Sequence, residues 1–164
     1  MASILSRIVR RLKYGRPVVI VSGLPRSGTS MAMKMLEAGG MELVVDNIRT
    51  ADEDNPKGYY EDERVKDLAE MKDKEWLDGA RGKVIKVTMY ESHLEKVQFQ
   101  LRFRPYFEAI YLDFASVVAE PEREARRIAA FVGGGLDVDR MAAAVDGSLY
   151  RNRRTADGAV AGQG

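Results

Sequence analysis

Between Gly23 and Ser30 the chain reads Gly-Leu-Pro-Arg-Ser-Gly-Thr-Ser, which sets one guanidinium, at Arg26, among the hydroxyls of Ser27, Thr29 and Ser30. Gly23 and Gly28 stand five residues apart and let the backbone come close to whatever the loop encloses. An arginine fork can hold two oxygens of one oxyanion, and hydroxyls and amide N–H groups can satisfy the rest. These residue types point to an anion, most simply a phosphate group. The spacing fits the nucleotide-binding pattern G-x-x-x-x-G-K-[ST] at every fixed position except the lysine, where Thr29 stands. An ATPase or GTPase needs that lysine, and usually magnesium, on the β and γ phosphates. A cation inside the loop suits a smaller anionic group with no obligatory metal.

The flanking residues say what holds the loop. Val18 to Val21 is an apolar, β-branched run bounded by Pro17 and Gly23, the pattern of a strand buried on both faces. From Thr29 strong helix formers follow, and Gly39-Gly40 supply the stop. Strand, glycine loop and helix in that order aim backbone N–H groups and the positive end of a helix dipole at one point.

The loop resembles the 5'-phosphosulfate-binding loop of the sulfotransferase family, whose donor is 3'-phosphoadenosine 5'-phosphosulfate (PAPS). Two further stretches are similar to bacterial sulfotransferase-like proteins. One is Asp52-Glu53-Asp54-Asn55-Pro56-Lys57-Gly58-Tyr59-Tyr60-Glu61; the other runs from Tyr111 to Arg153, with Glu120-Pro121 opening a helix and Ser148-Leu149-Tyr150-Arg151 near its end. The resemblance implies a transferase that moves a sulfuryl group from PAPS to a hydroxyl or amine acceptor, leaves PAP, and requires no metal; the lack of any apolar run long enough to span a bilayer or to make a signal-peptide core leads to the separate expectation of a cytoplasmic protein. The resemblance also implies a small-molecule or carbohydrate acceptor and no nucleic acid. By the same resemblance, Pro25, Arg26, Ser27, Gly28, Thr29 and Ser30 hold the donor, with Arg26 on the bridging and sulfuryl oxygens. Arg151 and Arg153 are candidates for the 3'-phosphate. Glu53 is the first candidate for the general base and Asp46 the second, since both follow the second strand; His93, the lone histidine, lies far from any motif. Tyr59 and Tyr60 could line an acceptor pocket or pack on the core.

The chain departs from the family in one respect. Between Lys86 and Tyr111 it lacks the strand, arginine and later serine that hold the 3'-phosphate, as though an internal strand-helix unit were missing. Two alternatives therefore stand beside the transferase. One is a truncated, inactive relative serving as a binding module. The other is a nucleotide kinase or NTPase, for which Ile110-Tyr111-Leu112-Asp113 resembles an apolar strand ending in a magnesium-binding aspartate.

Composition sets the outer limits. The 164 residues suit one domain, expected over 1–155, with a disordered Gly- and Ala-rich tail at 156–164. Hydrophobic residues make up 45% and charged residues 31%, with a formal charge of +1, which gives no case for general nucleic-acid binding. The absence of cysteine excludes disulfides and thiolate metal sites. Residues 1–14 form a basic amphipathic helix, whose apolar face is expected to pack on the domain or, alternatively, to lie weakly on a membrane surface.

Further strands are expected over Met41 to Val45, Lys83 to Val87 and Phe107 to Phe114. Further helices are expected over about Asp62 to Lys74, Ser92 to Leu101, Pro121 to Val132, and Asp137 to Val145. Alternating strands and helices predict a layered α/β domain with a short, mostly parallel sheet flanked by helices, and the resemblance of the Gly23 loop implies the three-layer P-loop type. Ligands in such domains bind at the carboxyl ends of the strands, where the Gly23 loop falls.

Overall fold

In the computed structural model, which describes residues 4–46, 60–66, 70–103 and 107–147, the β-branched run after Pro17 forms β1, Val19–Gly23. It leads through the glycine loop into α2, Thr29–Ala38, preceded in the chain by α1, Ile4–Tyr14. The second strand, β2, is only Leu43–Val44, and the third, β3, is Val84–Thr88. Four helices follow: α3, Glu91–Phe103; α4, Phe114–Ala119; α5, Pro121–Val132; and α6, Val138–Ala143.

The three strands make a small, open, parallel sheet in the order β1-β3-β2. Val19 pairs with Val84 and Leu43 pairs with Val84 from the other side, so these three residues share one face. That face carries the core. Met33, Met35 and Leu36 of α2, Val117 of α4, Ala125, Ile128 and Ala129 of α5, and Met141 of α6 close on Val84, with Val19, Val21 and Leu43 packed around them. Burying each large apolar side chain contributes about 1.5–3 kcal/mol, which makes this cluster the main stabilising element. On the opposite face Ile85 is buried, but Ile20 of β1 remains 54% exposed.

Several expectations need correction. The segment Phe107 to Phe114 is not a strand: residues 107–113 have no regular structure, and α4 begins at Phe114. Asp113 accepts a hydrogen bond from the backbone N–H of Ser116 (2.9 Å) and so caps a helix rather than ending a strand. Strand-forming residues need a ladder partner, and none is offered here among the described residues.

Asp62 to Lys74 does not form one helix either. A 3-10 turn, Glu63–Val65, lies within that span, and a second 3-10 helix, Glu75–Ala80, follows it. Asp62 accepts from the Arg64 N–H (3.0 Å) and Asp73 from the Glu75 N–H (2.8 Å). Short acidic side chains that bind nearby amides compete with the α-helical ladder. The last helix ends at Ala143, short of Val145.

The apolar face of α1 does not pack on the domain. Leu5 is 74% and Leu12 83% exposed. The helix is attached through its polar side instead: Arg7 Nε donates to Glu108 Oε2 (2.9 Å), and Arg10 lies 3.7 Å from the same carboxylate. Arg81 Nη1 holds its end by donating to the Tyr14 carbonyl (2.7 Å). Among the described residues no helix is long and apolar enough to cross a membrane.

Candidate functional site

The loop between β1 and α2 starts where the ladder stops. Met89 N–H, just past β3, donates to the Gly23 carbonyl (3.0 Å) and ties the two strand ends together. Ser27 N–H then donates to the Leu24 carbonyl (3.1 Å), closing a turn over Leu24, Pro25, Arg26 and Ser27. Two residues in it take the left-handed conformation, Arg26 at φ 64° and Gly28 at φ 90°. Gly28 needs its missing side chain for space as well, since a Cβ there would come within 2.3 Å of the Phe114 ring. For Arg26 the conformation is unusual, and the loop holds it. Pro25, Arg26 and Ser27 are exposed, while Gly28, Thr29 and Ser30 are half-buried.

Gly28 is the N-cap of α2 and provides no side-chain acceptor for its first turn. Amides at such a helix start have no partner within the helix, and the dipole makes the position electropositive. The loop thus presents a guanidinium, hydroxyls and a helix N-terminus on consecutive residues.

A residue that the motif did not point to completes this arrangement. Lys86 lies in the middle of β3 and is 6% exposed. Its Nζ donates to Ser30 Oγ (3.2 Å) and forms an ion pair with Glu61 Oε1 (3.4 Å). Glu61 also accepts from Thr88 Oγ1 (3.4 Å). A buried ammonium is costly unless paired, and here one partner is a loop hydroxyl and the other a carboxylate. The signal was in the sequence: Lys86 is a charge inside the apolar run Val84-Ile85-Lys86-Val87. A lysine in a buried strand must point at something polar.

The other predicted residues are more scattered. Asp46 Oδ2 accepts from the Glu63 N–H (2.6 Å), so it helps to start the 3-10 turn after Asp62. Glu53, Tyr59, Arg151 and Arg153 lie outside the described residues. His93 sits exposed on α3, its ring 6.1 Å from that of Tyr90. Tyr60, in a left-handed conformation at φ 54°, packs against the core and directs its hydroxyl toward Glu37 Oε2 (3.3 Å). Burial, together with the Glu37 charge and this hydrogen bond, raises the Tyr60 pKa above the ordinary tyrosine value.

Comparison with family models, with curated proteins and with solved structures finds no match to this chain.

Proposed function

We propose that the protein is a sulfotransferase with a three-layer P-loop-type fold, which takes PAPS as donor and a hydroxyl or amine as acceptor. The observation that carries the reading is the buried Lys86 ammonium, 3.2 Å from Ser30 of an arginine-bearing glycine loop at the carboxyl end of a parallel strand. The amides of Gly28 and Thr29 would receive the 5'-phosphate, with the Thr29 and Ser30 hydroxyls beside them, while the Ser27 N–H stays on the Leu24 carbonyl. Arg26 and Lys86 would supply positive charge where the sulfuryl and bridging oxygens lie. Fixed cations and amides aimed at developing charge are usually the largest catalytic contribution.

The reaction is an in-line displacement. The acceptor oxygen or nitrogen forms a bond to sulfur, the bond from sulfur to the 5'-phosphate oxygen breaks, and PAP departs with the electron pair. The acceptor proton goes to a carboxylate. Glu53 and Asp46 remain the candidates from the sequence, and Glu61 joins them because it already touches Lys86.

One feature favours a second reading, that of a truncated binding module. The sheet is open, and residues 107–113, which would extend it, have no regular structure. Calorimetric titration with PAP, and with ATP plus magnesium, separates these readings. Under the transferase reading PAP binds without metal, and Arg26→Ala weakens it by about tenfold or more. Binding that requires ATP and magnesium would replace the transferase with an NTPase. Failure of both nucleotides to bind would leave the binding module.

A further inference from the structure

The exposed face of α1 combines two properties seldom left to water on one short helix. At about 100° per residue, Ile4, Ile8, Leu12, Leu5 and Val9 fall on one arc of about 140°. Leu5, Ile8, Val9 and Leu12 are between 49% and 83% exposed, so nothing in the domain covers this stripe among the described residues. Arg11 borders it on one side and Lys13 on the other, and both are exposed. Arg7 and Arg10, on the far side of the helix, face Glu108 and fasten it to the domain. The helix is therefore held with its apolar stripe outward and a cation along each rim.

Charge is divided along the chain in the same sense. The first 16 residues hold five cations and no acid, so with a whole-chain charge of +1 the rest carries a formal −4. We infer that α1 is an in-plane anchor for an anionic lipid surface, with Leu5, Ile8, Val9 and Leu12 entering the acyl boundary and Arg11 and Lys13 at headgroup level. Amphipathic helices bind in this way through apolar burial plus attraction to anionic headgroups. A second copy fits the face poorly, because two such stripes laid together would bring Arg11 and Lys13 of each helix against those of the other.

The test is co-sedimentation of the full chain with vesicles of phosphatidylcholine, with and without a fraction of phosphatidylserine, at low and raised salt. The expected result is at least about tenfold stronger partition to the phosphatidylserine vesicles, weakened by salt. Leu5→Gln with Leu12→Gln, and separately Arg11→Gln with Lys13→Gln, should each reduce it by about tenfold. All four side chains are exposed, so the fold should survive, as circular dichroism would check. Equal partition to both vesicle types, no partition, or partition unchanged by both double variants would overturn the inference. A dimer in analytical ultracentrifugation that the leucine variant dissolves, without vesicle binding by the parent chain, would assign the face to a second copy and overturn it as well.

Discussion

Lys86 shows how much one side chain can say about a site. Its strand neighbours Val84 and Ile85 are buried and apolar, and an ammonium among them is tolerated because Ser30 and Glu61 receive its hydrogens. A lysine kept there for packing alone could be replaced by methionine at little cost, since the two have similar volume and the uncharged group has no desolvation penalty. Because Lys86→Met alone would leave the mostly buried Glu61 carboxylate without its cation, the test pairs it with Glu61→Gln: the double variant should keep the urea midpoint close to that of the parent chain while weakening PAP binding by about tenfold or more, as calorimetry would register. An unchanged affinity would make Lys86 a structural residue.

At the scale of elements, α2 and α6 meet closely at Gly39. Gly39, just past the end of α2, has an ordinary φ of −72°, so conformation does not demand glycine there. Space does. A Cβ on Gly39 would lie 2.6 Å from Met141 Cγ and 2.9 Å from its Sδ, and Met141 is fully buried. Gly39→Ala should destabilise the protein by about 1–3 kcal/mol through overpacking, more than any gain in helix propensity returns, and thermal melting would show it.

The same scale explains which elements could be read from sequence. The strand before Gly23, the helix from Thr29 and the helix from Pro121 each carried an apolar pattern bounded by Gly or Pro, and each formed. The helix expected over about Ser92 to Leu101, where Leu94, Val97 and Leu101 stand at helical spacing, formed as well, over Glu91–Phe103. Phe107 to Phe114 had strand-forming residues but no neighbour to pair with, a fact that lies outside any local window. At Asp62 and Asp73 the side chains bind the amides two residues on, so a short 3-10 segment starts after each instead of one helix running through. Of the candidate site, the loop was legible because its chemistry is contiguous, and Lys86 carried a signal as a charge within an apolar run, but its pairing with Ser30 and Glu61 did not show, because only the fold brings them to Lys86.

Over the whole molecule, stability should depend on two buried carboxylates. The side-chain hydrogen bond from Arg64 lowers the Asp62 pKa despite burial. At Glu124 burial works against ionisation, but hydrogen bonds from Arg123 and Arg127 outweigh it, and its pKa also falls below the ordinary value. A carboxylate whose pKa drops on folding adds stability above its unfolded value and loses it as pH falls through the folded one. With ordinary values of 3.8 and 4.5, the melting temperature should hold from neutral pH to about 5 and decline below that range. Asp62→Asn and Glu124→Gln should each lower it at neutral pH and flatten the acid decline. A decline as steep in both variants as in the parent would exclude these two groups as its source.

The strand order β1-β3-β2 bears on how the chain comes together during synthesis. β1 and β2 are made first, yet neither pairs with the other; both wait for β3, and Val19 meets its partner Val84 only across a long span of chain. Until residues 84–88 have left the ribosome there is no ladder to close. Contacts so distant in sequence form slowly compared with local ones. The nascent glycine loop therefore has no strand scaffold beneath it until β3 emerges, and the Lys86 contact with Ser30 arrives together with that scaffold.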